Sequence, residues 1–190
     1  MDKLNHRGTK TIETDRLILR SFKESDYLDM YQNWANSEKV TKFLTWLPHE
    51  NADVTKGLCR IWEDNAKSDD NYNWIVTLKN GTPVGNIGII QANESISEAV
   101  IGYCYGEKWW GKGIGTESFK AVIDYLFGEV GFNRIYSYHD VKNPASGKVM
   151  EKSGLKYEGT KRQADINNNG GLCDICEYAI LKSDWLEMQK

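Results

Sequence analysis

The sequence predicts an α/β fold of the α+β type, in the order strand, helices, three strands, helix, strand, helix, two strands. Two observations carry this. Phe119, Val122, Ile123, Leu126, Phe127 and Val130 fall at the i, i+3, i+4 spacing of a one-sided helix. Earlier, Lys79-Asn80-Gly81-Thr82 sets Asn-Gly between two β-rich runs, a hairpin signal.

The elements follow in chain order. Leu17, Ile18 and Leu19 centre a first strand over residues 13–22. Ser25 stands as an N-cap before Tyr27, Leu28, Met30 and Tyr31. Residues 36–68 read as two helical pieces parted at Pro48, the second carrying Val54, Leu58, Ile61 and Trp62. Residues 73–78, 83–92 and 98–105 then form an antiparallel meander. The helix of residues 119–130 has Gly128 and Gly131 as stops, and residues 134–139 make a short strand. Asn143-Pro144 opens the next helix, with Asn as cap and Pro at the first position; Gly154 closes it. Residues 155–163 and 173–181 are the last strands, joined by a turn-rich connection from Asp165 to Gly171.

At 190 residues with 40% apolar content, one domain over residues 1–190 is the simplest organisation, with residues 1–10 expected to be flexible. No 18-residue apolar run indicates a membrane partner, and the polar start lacks a signal-peptide core, so a cytoplasmic location is expected. The net charge of −3 gives no case for nucleic acid. Of the four cysteines, Cys173 and Cys176 have a Cys-x-x-Cys spacing. Zinc would need two further ligands, yet His6, His49 and His139 are scattered, so no metal is expected.

The stretch from Trp109 to Glu117, Trp-Trp-Gly-Lys-Gly-Ile-Gly-Thr-Glu, holds glycines at every second position ahead of a helix. Glycine permits left-handed backbone and close approach, and a helix N-terminus offers unpaired N–H groups to an anion. Lys112 is followed by Gly113 rather than Ser or Thr, which excludes an ATP-type P-loop. The last two glycines are one residue apart rather than two, which excludes a dinucleotide fingerprint. A phosphate cradle and a plain tight turn remain.

Several motifs in order resemble the GNAT superfamily of acyl-CoA-dependent N-acetyltransferases, over roughly residues 11–185. They are Thr14-Asp15-Arg16-Leu17-Ile18-Leu19-Arg20, Ile101-Gly102-Tyr103 with Trp110 to Glu117, Asn143-Pro144-Ala145-Ser146, and Glu151-Lys152-Ser153-Gly154-Leu155 with Glu158-Gly159. Within the superfamily the chain is most similar to the branch that acetylates ribosomal-protein N-termini, which also holds members with unrelated substrates. The resemblance implies one mixed, mainly antiparallel sheet of about seven strands flanked by helices, and acetyl-CoA as co-substrate. It implies that backbone amides of Trp110, Gly111, Lys112, Gly113, Ile114 and Gly115, with Thr116, hold the CoA phosphates. It places Ile101, Gly102, Tyr103, Asn143 and Ser146 along the pantetheine arm. Trp110 stands where the general pattern has Gln or Arg. Lys112 either adds charge or is a solvated lysine.

Acetyl transfer needs a neutral amine, a polarised thioester carbonyl and a thiol that can leave. Roughly a tenth to a fifth of an α-amine is neutral at pH 7, against under about a thousandth of a lysine amine. By resemblance the base position falls on Asp165, alternatively an ordinary loop aspartate; Glu98 is its rival. Many superfamily members protonate the thiolate with a Tyr; that position here is Met150, which cannot donate. Ser146 is the substitute donor, or else a helix-capping residue. The strand from Ile101 is expected to splay from residues 134–139 and offer an amide to the carbonyl. Tyr103 and Tyr105 either line the acceptor pocket or pack, and Cys104 reads as a buried structural thiol. The acceptor is expected to be a protein N-terminal amine. A small amine such as an aminoglycoside or polyamine is the alternative, and a non-catalytic acyl-CoA-binding module the second. A homodimer is left open.

Overall fold

A computed structural model describes residues 3–190. Its centre is one eight-stranded sheet in the order β1-β2-β3-β4-β5-β6-β8-β7. β1 (Ile12–Glu13) and β2 (Leu17–Ser21) divide the single strand expected over residues 13–22. They pair antiparallel, and the Leu17 N–H bonds Thr14 Oγ1 at 3.0 Å to close the turn between them. β3 (Asn73–Leu78), β4 (Pro83–Asn93) and β5 (Glu98–Tyr105) form the expected antiparallel meander. β6 (Arg134–Asp140) runs parallel to β5 and antiparallel to β8 (Leu172–Leu181), and β7 (Lys156–Ile166) is the outer strand.

Both faces of the central strands are covered, which is why Trp74, Ile75 and Val76 are all buried in one run. On one face lie α4 (Ile114–Tyr125), burying Phe119, Val122 and Ile123, and α5 (Pro144–Lys152), burying Met150. On the other, α1 (Tyr27–Met30), α2 (Glu38–Thr41) and α3 (Ala52–Asn65) close over a second cluster of Phe22, Met30, Trp34, Ile75 and Cys104. α4 runs into a π-helical turn (Leu126–Val130) that stops at Gly131, whose φ of +93° suits only glycine well. Trp34 and Trp74 are fully buried in the core.

Four expectations are corrected. Ser25 is not the cap: Asp26 accepts the Lys23 N–H at 2.8 Å and is gripped by both Arg20 guanidinium nitrogens at 2.8 Å. Residues 3–10 are not loose, because Leu4 is buried, Asn5 N–H reaches the Val130 carbonyl and Trp74 Nε1 donates to Lys10. Met1 and Asp2 lie outside the described residues. Asp165 lies inside β7, opposite Cys173, because a register break between Lys161 and Asp165 lets the strand continue. The chain ends in a further helix, α6 (Lys182–Met188), anchored by Trp185 Nε1 on Asp124 at 2.6 Å.

Candidate active site

Each glycine of the turn ahead of α4 has its own reason. Gly111 and Gly113 have φ of +72° and +78°. No atom lies within 4 Å of a Cβ built on Gly111, whereas one on Gly115 would stand 3.2 Å from the Tyr105 ring. Gly113 is the N-cap of α4 and has no side chain to offer, so the first amides of the helix receive no side-chain cap. Those N–H groups and the helix dipole face an open, glycine-walled turn, an arrangement suited to phosphate oxygens. Trp110 is half-exposed, and its Nε1 donates to the Tyr105 carbonyl at 2.7 Å, which fixes the entry to the turn.

β5 and β6 pair only from Glu98–Val100 to Arg134–Tyr136. Beyond that they part, and the Ile101 carbonyl is met by Ser137 Oγ at 2.7 Å instead of a strand partner. Ile101, Gly102 and Tyr103 thus lie on the freed edge of β5. An extended pantetheine arm can pair with such an edge as an added strand would.

The parting strands bring Tyr103 against the first turn of α5. Tyr103 Oη donates to the Ser146 carbonyl at 2.9 Å and lies 2.7 Å from Ser146 Oγ. Burial lifts the Tyr103 phenol above its ordinary range, and the bond with Ser146 offsets only part of that. It therefore stays a neutral hydrogen-bonding group. Asn143 is the N-cap residue of α5 by position, but its side chain makes no capping bond. Tyr105 is engaged by Ser118 at 2.5 Å on the α4 side and packs rather than lining a pocket.

Glu98, the rival base expected from the sequence, is engaged in an ion pair. It sits at the closed end of the β5–β6 pair, held by Arg134 Nε at 2.8 Å, while the rest of that guanidinium takes Glu158 at 2.8 and 2.6 Å. This ion cluster latches the end from which the strands diverge. Asp165 is half-buried beside Tyr138; burial first, and then the Asp165 charge and hydrogen bond, raise the Tyr138 phenol. Strand alternation puts Tyr138 on the face opposite His139, which packs on α5, so Asp165 and Ser146 lie on opposite faces of the sheet. Neither touches the other.

On the Asp165 side, Asn168 Nδ2 donates to the Thr41 carbonyl at 2.9 Å and joins the β7–β8 turn to α2. Between them opens a cleft of about 320 Å³ walled by residues that include Glu38, Lys42, Leu47 and Pro48. Cys173 and Cys176 are three residues apart on β8 and so face opposite sides of it. Among the described residues no group of three or more His, Cys, Asp or Glu is placed to hold a metal ion, and no helix is long and apolar enough to cross a membrane.

The model of the acetyltransferase (GNAT) domain family matches residues 16–156. The chain belongs to the GNAT family. As a GNAT N-acetyltransferase it is similar to the uncharacterized N-acetyltransferase p20 of Bacillus licheniformis, 27% identical over 177 residues, covering 93% of this chain and 98% of p20. It is also similar to the [ribosomal protein uS5]-alanine N-acetyltransferase of Escherichia coli, 29% identical over 91 residues, covering 48% of this chain and 46% of that protein. In fold it matches the microcin C7 self-immunity acetyltransferase MccE, solved with acetyl-CoA and AMP: TM-score 0.78, 21% identity, 88% of this chain and 93% of that one. GNAT enzymes use acetyl-CoA, and the glycine turn, the uncapped helix and the parted strands of this chain fit such a donor.

Two residues in contact with these elements escaped the sequence reading. Arg16, on the turn between β1 and β2, bonds the glycine turn across a separation of 96 residues, and local pattern carries no sign of that. His139, read only as a stray imidazole, is buried beneath α5. Its Nδ1 donates to the Asp140 carbonyl at 2.8 Å, and Nε2 has no partner. A Cβ on Gly147 would stand 2.6 Å from that Nε2, so this glycine next to Ser146 lets helix and imidazole meet.

Proposed function

We propose that this N-acetyltransferase moves the acetyl group of acetyl-CoA directly onto a protein or peptide N-terminal amine, both substrates being bound together. The observation that carries the donor half is the left-handed Gly111–Gly113 turn feeding the uncapped start of α4, in line with the parted edge of β5. The amides from Trp110 to Gly115, with Thr116, hold the phosphates, and Ile101, Gly102 and Tyr103 with Asn143 hold the arm. A freed amide of β5 polarises the thioester carbonyl, where developing negative charge makes a fixed donor most valuable.

Ser146 supplies a hydroxyl hydrogen to the departing sulfur. A thiol has a pKa near about 8.5 and leaves readily, so a hydrogen-bond donor suffices where other members place a tyrosine. Asp165 takes the proton from the attacking amine, directly or through water. Its short side chain favours the water route. The acceptor half rests on two supports. An α-amine needs little help to lose its proton at neutral pH, and the relative from Escherichia coli is named for acetylating an N-terminal alanine. The cleft between α2 and the β7–β8 turn is where a peptide end would enter.

Thiol release from acetyl-CoA, measured over a panel of N-terminal peptides, polyamines and aminoglycosides, tests this. Turnover on unblocked peptides that is lost on N-terminal blocking is expected. Release on small amines alone would overturn the acceptor assignment.

A further inference from the structure

The turn between β1 and β2 reaches to the glycine turn. Thr14 Oγ1 donates to Glu117 Oε1 at 2.6 Å, and the Arg16 N–H donates to the same oxygen at 3.0 Å. Arg16 Nε donates to Glu117 Oε2 at 2.6 Å, and Nη1 donates to the Lys112 carbonyl at 2.9 Å. Arg16 Nη2 also lies 3.3 Å from where a Cβ on Gly113 would stand. One guanidinium thus bridges the middle of the glycine turn and the first turn of α4.

We propose that Arg16 is a positioning residue for the CoA phosphates: it holds the glycine turn in its binding shape and cancels the charge of Glu117 beside it. This rests on the reading that the turn holds the CoA phosphates. The first argument is geometric. Gly-Lys-Gly is among the freest of tripeptides, and a turn that must be ordered on binding weakens affinity. The bond from Arg16 to the Lys112 carbonyl, between the two left-handed glycines, orders it beforehand. The second argument is electrostatic. A carboxylate in the first turn of a helix suits the helix dipole but repels an anion bound at the same amides. Glu117 is that carboxylate, and it is paired within hydrogen-bond distance by a cation that lies outside the turn. Lysine could not replace Arg16, because only the planar fork reaches carboxylate and carbonyl together.

The test is calorimetric titration of CoA alone into the full chain, so no acceptor or turnover is needed. Arg16→Ala is expected to raise Kd about tenfold, as loss of charge-assisted bonds would. Adding Glu117→Gln to Arg16→Ala is expected to restore most of that affinity, because the unpaired charge is removed. A role in folding alone would give no recovery, and a double variant as weak as Arg16→Ala or weaker overturns the proposal. With the acceptor in saturating amount, KM for acetyl-CoA should rise while kcat holds; a fall in kcat alone also overturns it. If thermal melting shows Arg16→Ala unfolded, Arg16→Gln, which keeps a donor for the Lys112 carbonyl and loses the charge, carries the same comparison. Gly113→Val separates the two readings. Unchanged CoA affinity in Gly113→Val refutes the phosphate site itself, whereas weakening there with none in Arg16→Ala refutes only the role of Arg16.

Discussion

The bond between Tyr103 and Ser146 decides what each residue can do. A carbonyl only accepts, so the Tyr103 hydrogen serves the Ser146 backbone, and its raised pKa makes the phenol a poor proton source. Ser146 Oγ, 2.7 Å from the phenol, keeps a hydrogen of its own, the one proposed to turn to sulfur. Ser146→Ala should lower kcat about tenfold, the worth of one hydrogen bond in a desolvated site, with CoA affinity changed by less than about twofold; single-turnover kinetics beside titration separates the two. At Gly147 the consequence is structural. Gly147→Ala drives a methyl into His139 Nε2 and should cost about 1–3 kcal/mol in denaturant unfolding, and His139→Ala in the same chain should recover much of it. The role of Gly147 was not legible in the sequence, because the ring that demands it comes from another element.

Elements defined by local pattern were legible to within a residue. The meander strands, the Asn-Gly turn and the Asn143-Pro144 helix start rest on neighbours within a few positions, and the structure keeps them. Elements shaped by distant partners were not. β7 runs past its expected end because a bulge with Gln163 at φ +51° re-registers it on β8. The parting of β5 from β6 followed from the family resemblance, but the Arg134 cluster that closes its other end did not. The clamp on the glycine turn carries a pH signature. Burial pushes the Glu117 carboxyl up, while the bonds from Thr14 and Arg16 outweigh it and hold the group below its ordinary value. A depressed carboxyl contributes its stability in full above the unfolded value, near about 4.3, and loses it as pH falls through the lower folded value. Glu117→Gln should therefore flatten the acid limb of the melting profile; an unchanged limb would show that Glu117 makes no such contribution.

At the scale of the molecule, the sheet separates two apolar clusters, and its parallel pair, β5 with β6, parts beyond Val100 and Tyr136. Residues 3–10 are part of that body. Leu4 is buried, and a buried leucine contributes about 1.5–3 kcal/mol. Removing residues 1–10 should lower the melting temperature by roughly 4–10 °C, measurable by calorimetry, although the sequence suggested a flexible segment. The proposed donor site rests on the glycine turn, where Gly113 at φ +78° has an exposed backbone at the head of an uncapped helix. Titration of CoA into Gly113→Val, with melting and circular dichroism confirming a native fold, is the most direct test. At least a tenfold loss of affinity, about 1.4 kcal/mol, is expected from strain in the turn and crowding of the phosphate. A folded Gly113→Val protein that binds CoA as the parent does would contradict it.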